Sequence, residues 1–159
     1  MNRLLALIWI LASGVTAFAQ DITSLEKIGP VTSIVKSDQS ITLNCRDNSQ
    51  VVITIYAPDL IRVRASFTKP VPSTNHSWAI ARVAWPKPRW NLNETPDFIT
   101  LTTDEIEIVV RRSPLLIEFR DARTHSVLNS DERPMSYDAQ GRLNNIMFDP
   151  KVGMFVAAS

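Results

Sequence analysis

Acidic side chains are the first candidates for chemistry in this sequence, because paired carboxyl groups can serve as acid, base or nucleophile. Hydrolysis of a glycosidic bond needs two such groups facing each other, about 5 to 10 Å apart depending on the mechanism. Glu105 and Glu107 lie two residues apart and share one face of a predicted strand, opposite an apolar stripe, so we interpret them as solvated charge. Asp121, Asp131 and Glu132 lie in turn-like contexts, where carboxylates commonly bond local backbone.

The histidines and the cysteine do not suggest a metal or nucleophilic site. His76 and His125 are far apart, and neither has a partner four residues away or a neighbouring cysteine. Ser77 and Ser126 follow them directly, but adjacent side chains of a strand point to opposite faces, so surface loop residues are the simpler interpretation. Cys45 is the only cysteine, which excludes an internal disulfide. We therefore predict no catalytic residue, no metal site and no cofactor.

Tryptophans are concentrated in a proline-rich segment over residues 69–96, which contains Trp78, Trp85 and Trp90. Aromatic rings can stack on the apolar faces of sugars, which makes a carbohydrate-binding surface one hypothesis. The favoured alternative is that these rings are core or lid residues that bury a large area. The sequence therefore assigns no substrate-binding residue.

Residues 1–19 have the pattern of a secretory signal peptide. Arg3 supplies a positive start, Leu4–Val15 is apolar, and Ala17–Ala19 has the small-residue form of a cleavage site. The apolar run is shorter than the roughly 20 residues that span a bilayer. We therefore predict cleavage after Ala19, export to the periplasm or the extracellular space, and no membrane attachment after cleavage.

The mature chain, residues 20–159, is expected to be a single domain without affinity for nucleic acid. The formal net charge of +1 falls to zero when Arg3 is removed with the leader. The remaining basic residues are scattered and mostly alternate with apolar positions, whereas phosphate binding needs them clustered. A hydrophobic content of 45% is typical of a globular chain with its own core.

Alternation of apolar and polar residues with a period of two dominates the mature chain and predicts strands. Strands are predicted at residues 41–45, 51–55, 61–67, 78–83, 99–101, 106–110, 115–119, 127–128 and 143–148. Turns are predicted at residues 47–49, 57–59, 103–104, 112–114, 121–123 and 138–142. Cys45 falls on an inward face, and the strand at 61–67 is expected to have a solvated, basic outer face. The regular spacing predicts an all-β sandwich of two antiparallel sheets.

Two of these strand pairs resemble a known family. Ile53–Ala65 is similar to the "Y-x-P-D-(I/L)-(I/V)-R-V-R" hairpin near the start of family 31 glycoside hydrolases. Ser113–Ala122, with Val127 and Asp131 beyond it, is similar to their "S-P-(L/F)-x-(I/V)-x-F-x-D-x-x-G-x-x-(L/V)-x-x-D" segment. The resemblance covers roughly Val31–Met147. It implies a galactose-mutarotase-like β-sandwich that packs on a separate (β/α)₈ barrel, which carries the catalytic residues.

Neither catalytic position of that barrel exists in this sequence, so the barrel is predicted to be absent and the sandwich incomplete. The last residues, 153–159, depart from the "F-(Y/F)-G-L-G-E" segment with which the family continues, which suggests a truncated, frameshifted or fragmentary gene product. The resemblance implies an accessory domain of an α-glucosidase or α-xylosidase type enzyme, not catalytic by itself, whose partner is the barrel. A stand-alone carbohydrate-binding module and a structural immunoglobulin-type sandwich are the alternatives.

Overall fold

The computed structural model describes residues 25–67, 87–137 and 143–144, and all regular elements in these residues are β-strands. The strands are β1 (Glu26–Lys27), β2 (Val31–Lys36), β3 (Ser40–Cys45), β4 (Gln50–Ala57), β5 (Leu60–Ser66), β6 (Asn91–Glu94), β7 (Phe98–Thr102), β8 (Ile106–Arg112), β9 (Leu115–Asp121), β10 (Val127–Ser130), β11 (Ser136–Tyr137) and β12 (Leu143–Asn144). This content confirms the all-β fold class. The described part contains no helix long and apolar enough to cross a membrane.

The strands form three antiparallel sheets. A four-stranded sheet has the order β2-β3-β4-β5, and a five-stranded sheet has the order β10-β9-β8-β7-β6. A small sheet of order β1-β11-β12 joins the first described strand to the last ones. Within the two large sheets, strands that follow each other along the chain are neighbours, so short turns set the register of each pair.

Alternate residues of the two large sheets form one hydrophobic core, as the period-two pattern predicts. Its fully buried members include Ile41, Leu43, Val51, Ile53 and Ile55 from the four-stranded sheet, and Ile99, Leu101, Ile108, Val110 and Leu115 from the five-stranded sheet. Cys45 is buried with them, which confirms its inward position.

The turns fall at the predicted places wherever the structure describes them. The β3–β4 turn contains Asn48 in the left-handed region, at a φ of 66°, a conformation that asparagine tolerates better than most residues. The β4–β5 turn is formed by Pro58 and Asp59, and a cis Ser113–Pro114 bond lies in the β8–β9 turn. The strand predicted at 78–83, the turn at 138–142 and the signal peptide lie outside the described residues.

The structure differs from the sequence-based expectation in the outer face of β5 and in four additional strands. The outer face of β5 is not solvated, because Arg64 is only 9% exposed and Ser66 only 6%; desolvation on burial lowers the pKa of the Arg64 guanidinium. Alternation of apolar and polar residues predicts on which face of the sheet a side chain lies, but not whether that face is exposed to solvent. Strands β1, β2, β6 and β11 were not predicted, because none of them shows a sustained alternation of apolar and polar residues.

Candidate functional site

Of the two acidic candidates on the five-stranded sheet, Glu107 contacts basic side chains and Glu105 is exposed. Glu107 Oε2 lies 3.8 Å from Arg120 Nη1 and 3.1 Å from His125 Nδ1. Arg120 also bonds the carboxylate of Glu118 on its own strand. The prediction of solvated charge is right for Glu105, which is exposed in the turn before β8. It is wrong for Glu107, whose side chain is only 15% exposed beside its partners.

The loop before β10 contains the described histidine and its serine neighbour. His125 has an exposed side chain and a positive φ of 57°, which confirms its prediction as a surface loop residue. Ser126 Oγ lies 2.8 Å from Thr124 Oγ1. Asp121 accepts bonds from the backbone N–H groups of Thr124 and Arg123, and these bonds lower the pKa of its carboxyl group. Asp121 therefore caps the turn, as predicted. His76 and Ser77 lie outside the described residues.

Asp131 bonds a residue of another strand, whereas its turn-like context predicts a bond to the local backbone. Its Oδ2 accepts the backbone N–H of Ile117 at 2.9 Å, and its own N–H donates to the Ile117 carbonyl at 3.0 Å. The two bonds extend the pairing of β9 beyond the end of β10. Desolvation on burial raises the pKa of the Asp131 carboxyl group. Glu132, next to it, is exposed.

One polar cluster joins residues that are far apart in the sequence, and sequence reasoning missed it. Tyr137 Oη on β11 lies 3.1 Å from Glu26 Oε2 on β1 and 3.2 Å from Asp47 Oδ2 in the β3–β4 turn. Ser49 Oγ donates to the same Asp47 oxygen at 2.6 Å. We call these four residues the tyrosine cluster. It connects the small sheet to the four-stranded sheet.

The tyrosine cluster brings two carboxylates together, but their geometry does not fit hydrolysis. The Tyr137 phenol oxygen contacts both Glu26 and Asp47, and it therefore fills the space that a glycosidic bond needs between an acid and a base or nucleophile. Tyr137 is also 4% exposed and its ring stacks on Phe67, with centroids 4.5 Å apart. The cluster is a structural tie between sheets.

Trp90 is the tryptophan that the structure describes, and it is a packing residue. Its ring packs against the core while its Nε1 donates to the Asp38 carbonyl at 2.9 Å. Lys36 Nζ lies 4.5 Å from the ring centroid, so a cation occupies one face of the ring. A sugar would have to displace this lysine in order to stack there. Trp78 and Trp85 lie outside the described residues.

Replacing Trp90 by alanine should lower the free energy of unfolding by about 2 kcal/mol, because a half-buried ring and its hydrogen bond are lost together. Urea denaturation measures this change. The control is Trp90→Phe, which keeps an aromatic ring and removes the N–H donor, and it should lose less stability. Unchanged stability of the alanine variant, combined with weaker binding of a glucan oligosaccharide, would contradict the packing role.

Cys45 lies beside the tyrosine cluster and is an unreactive thiol. Burial, and secondarily the charge of Asp47, raise its pKa to about 12, whereas reactive cysteines need a lowered pKa and access to solvent. In residues 25–67, 87–137 and 143–144, no three His, Cys, Asp or Glu side chains are grouped closely enough to hold a metal ion.

Residues 50–155 match the family model of the glycosyl hydrolase 31 N-terminal galactose mutarotase-like domain. The match includes both motif segments, and the structure places the first on β4–β5 and the second in the β8–β9 turn and on β9. No curated protein sequence matches the chain.

Solved structures with the same fold are larger enzymes. A GH31 dextranase from Flavobacterium johnsoniae, complexed with isomaltotriose, matches with a TM-score of 0.63 and 19% identity over 72% of this chain and 14% of its own. A cycloalternan-forming enzyme from Listeria monocytogenes, in complex with a pentasaccharide substrate, matches with a TM-score of 0.58 and 23% identity over 71% of this chain and 10% of its own. The chain therefore spans only a small part of these relatives, and the likeness concerns their N-terminal β-sandwich regions.

Proposed function

The chain belongs to the family of glycosyl hydrolase 31 N-terminal galactose mutarotase-like domains, and from this membership we propose that it is an accessory domain of an exported glycoside hydrolase. It has no catalytic activity of its own, and a separate (β/α)₈ barrel supplies the catalytic carboxylates. The observation that carries this proposal is that the two carboxylates of the tyrosine cluster, Glu26 and Asp47, are separated by the Tyr137 phenol.

Exposed apolar residues on the edge strand β10 support an accessory role. Val127 is 56% exposed and its neighbour Leu128 is 38% exposed. Contiguous exposed apolar patches mark surfaces that a partner covers, and these two residues would form part of such a patch at the edge of the sheet. In this proposal the partner is the catalytic barrel of the parent enzyme.

Export through a cleaved signal peptide is part of the proposal. The positive start, apolar run and small-residue site of residues 1–19 support it. N-terminal sequencing of the protein recovered from its native cells should begin at Gln20. Material that begins at Met1 would contradict cleavage.

A stand-alone carbohydrate-binding module is the second candidate function. Phe98 favours it, because this ring is 39% exposed on the five-stranded sheet and Arg111 Cζ lies 5.9 Å from its centroid. An exposed ring beside a guanidinium offers both stacking and hydrogen bonds to a sugar. The isomaltotriose and pentasaccharide ligands of the two enzymes of the same fold suggest oligosaccharides as probes.

Calorimetric titration of the purified chain with isomaltotriose and with xyloglucan oligosaccharides separates the two functions. The accessory role predicts no measurable heat at millimolar sugar and no release of nitrophenol from nitrophenyl α-glucoside. Saturable heat that disappears in Phe98→Ala, and persists in the Val35→Ala control on the other large sheet, would establish the binding module instead. Turnover of the glucoside would contradict the accessory role.

A further inference from the structure

We propose that Tyr137 is a proton-dependent latch, which in its phenol form holds the small sheet against the β3–β4 turn and in its phenolate form releases it. This inference is independent of the proposed function, because it concerns only the attachment of β1-β11-β12 to the four-stranded sheet.

The single phenolic proton of Tyr137 is the donor that joins the tyrosine cluster. A phenol has one proton to donate, and Tyr137 Oη lies within hydrogen-bond distance of two carboxylate oxygens, one from Glu26 and one from Asp47. The Ser49 hydroxyl donates to Asp47 and does not reach the phenol in these contacts. Loss of the phenolic proton therefore removes the donor and leaves three negatively charged groups in contact.

Repulsion between these three negative charges is strong because the phenol is shielded from water. Tyr137 is 4% exposed, its ring stacks on Phe67, and Gly29 approaches Asp47 so closely that a Cβ at this glycine would lie 2.8 Å from Asp47 Oδ1. Water therefore has little access to a phenolate at this position. Among the described residues, no basic side chain forms an ion pair with Glu26 or Asp47 that would compensate the added charge.

Burial, followed by the bonds and charges of Glu26 and Asp47, raises the pKa of Tyr137 to about 12 from its usual value of 10.0. A group whose pKa is raised by folding stabilises the folded state below its unfolded pKa and loses that contribution as the pH rises through the folded value. The latch should therefore hold at every pH below 10 and open as the pH passes about 12, the range in which the Cys45 thiol beside Asp47 also ionises.

Absorbance titration of tyrosinate tests the ionisation, because the chain contains only two tyrosines. Tyr137→Phe should remove the late phase near pH 12, whereas the matched variant Tyr56→Phe should retain it. The proposal would be overturned if the titration phase that Tyr137→Phe removes had the ordinary tyrosine pKa.

A fluorinated tyrosine at position 137 makes the latch testable at mild pH, because its phenol ionises several pH units lower than that of tyrosine. Amide hydrogen exchange then measures the release of the small sheet. The Ile28 N–H, which donates to the Met135 carbonyl at 2.9 Å, reports attachment of the small sheet, and the Ile55 N–H, which donates to the Gln39 carbonyl, reports the sandwich. Ionisation of the fluorinated phenol should increase opening at Ile28 at least tenfold beyond the intrinsic pH effect and leave Ile55 unchanged. Equal behaviour of the two amides would overturn the latch.

Discussion

Replacing Leu43 by alanine should lower the free energy of unfolding by about 2 to 5 kcal/mol, because it leaves a cavity in a core that cannot collapse fully. Leu43 is fully buried in the middle of β3. Its strand pairs with β2 on one side and β4 on the other, so both flanking strands resist relaxation around the cavity. Urea denaturation of the purified chain measures the change.

Thr42→Ala is the matched control for this prediction. Thr42 occupies the opposite face of the same strand and is only partly buried, so its replacement should change stability by about 0.5 kcal/mol or less. Equal losses for the two variants would mean that β3 does not have one inward and one outward face, and the sandwich assignment would then be wrong.

Replacing Thr103 by valine should lower the free energy of unfolding by about 1 to 3 kcal/mol, because buried polar groups lose their partner. Thr103 is 5% exposed, and its Oγ1 lies 2.6 Å from the Pro58 carbonyl and 2.8 Å from the Ile106 N–H. Pro58 belongs to the β4–β5 turn, whereas Thr103 belongs to the β7–β8 turn. One hydroxyl therefore ties the two large sheets together at their turns.

Thr103→Ser keeps the hydroxyl and removes a methyl group, so most of the stability should be retained in this control. Valine has nearly the same shape as threonine, which separates the loss of hydrogen bonds from the loss of packing. Both variants are compared by urea denaturation. A valine variant as stable as the parent chain would show that the Pro58 contact contributes nothing to the sandwich.

The large sheets could be predicted from sequence because their hairpins are local and their inner faces are apolar. β3, β4, β8 and β9 show strict alternation, and turn residues such as Asn48 mark where each strand ends. The edge strands β2 and β6 were missed because Val31–Lys36 and Asn91–Glu94 do not alternate apolar and polar residues. The burial of Arg64 was missed because alternation carries no information about what covers an outer face.

The polar contacts could not be predicted to the same degree, because they depend on long-range packing. Asp121 bonds residues two and three positions away, and its turn context was visible in the sequence. Glu26 and Tyr137 are separated by 111 positions and meet only when the small sheet closes. Asp131 likewise finds its partner 14 residues away. No periodicity or spacing marks such pairs.

Capture of the native protein with an antibody against the purified domain tests the accessory role most directly. If the accessory role is correct, material captured from cells that carry the gene should hydrolyse a nitrophenyl α-glucoside or α-xyloside. This material should also contain peptides of a family 31 barrel, covalently joined or tightly bound to residues 20–159. Recovery of the domain alone, without barrel peptides and without hydrolysis, would contradict the accessory role.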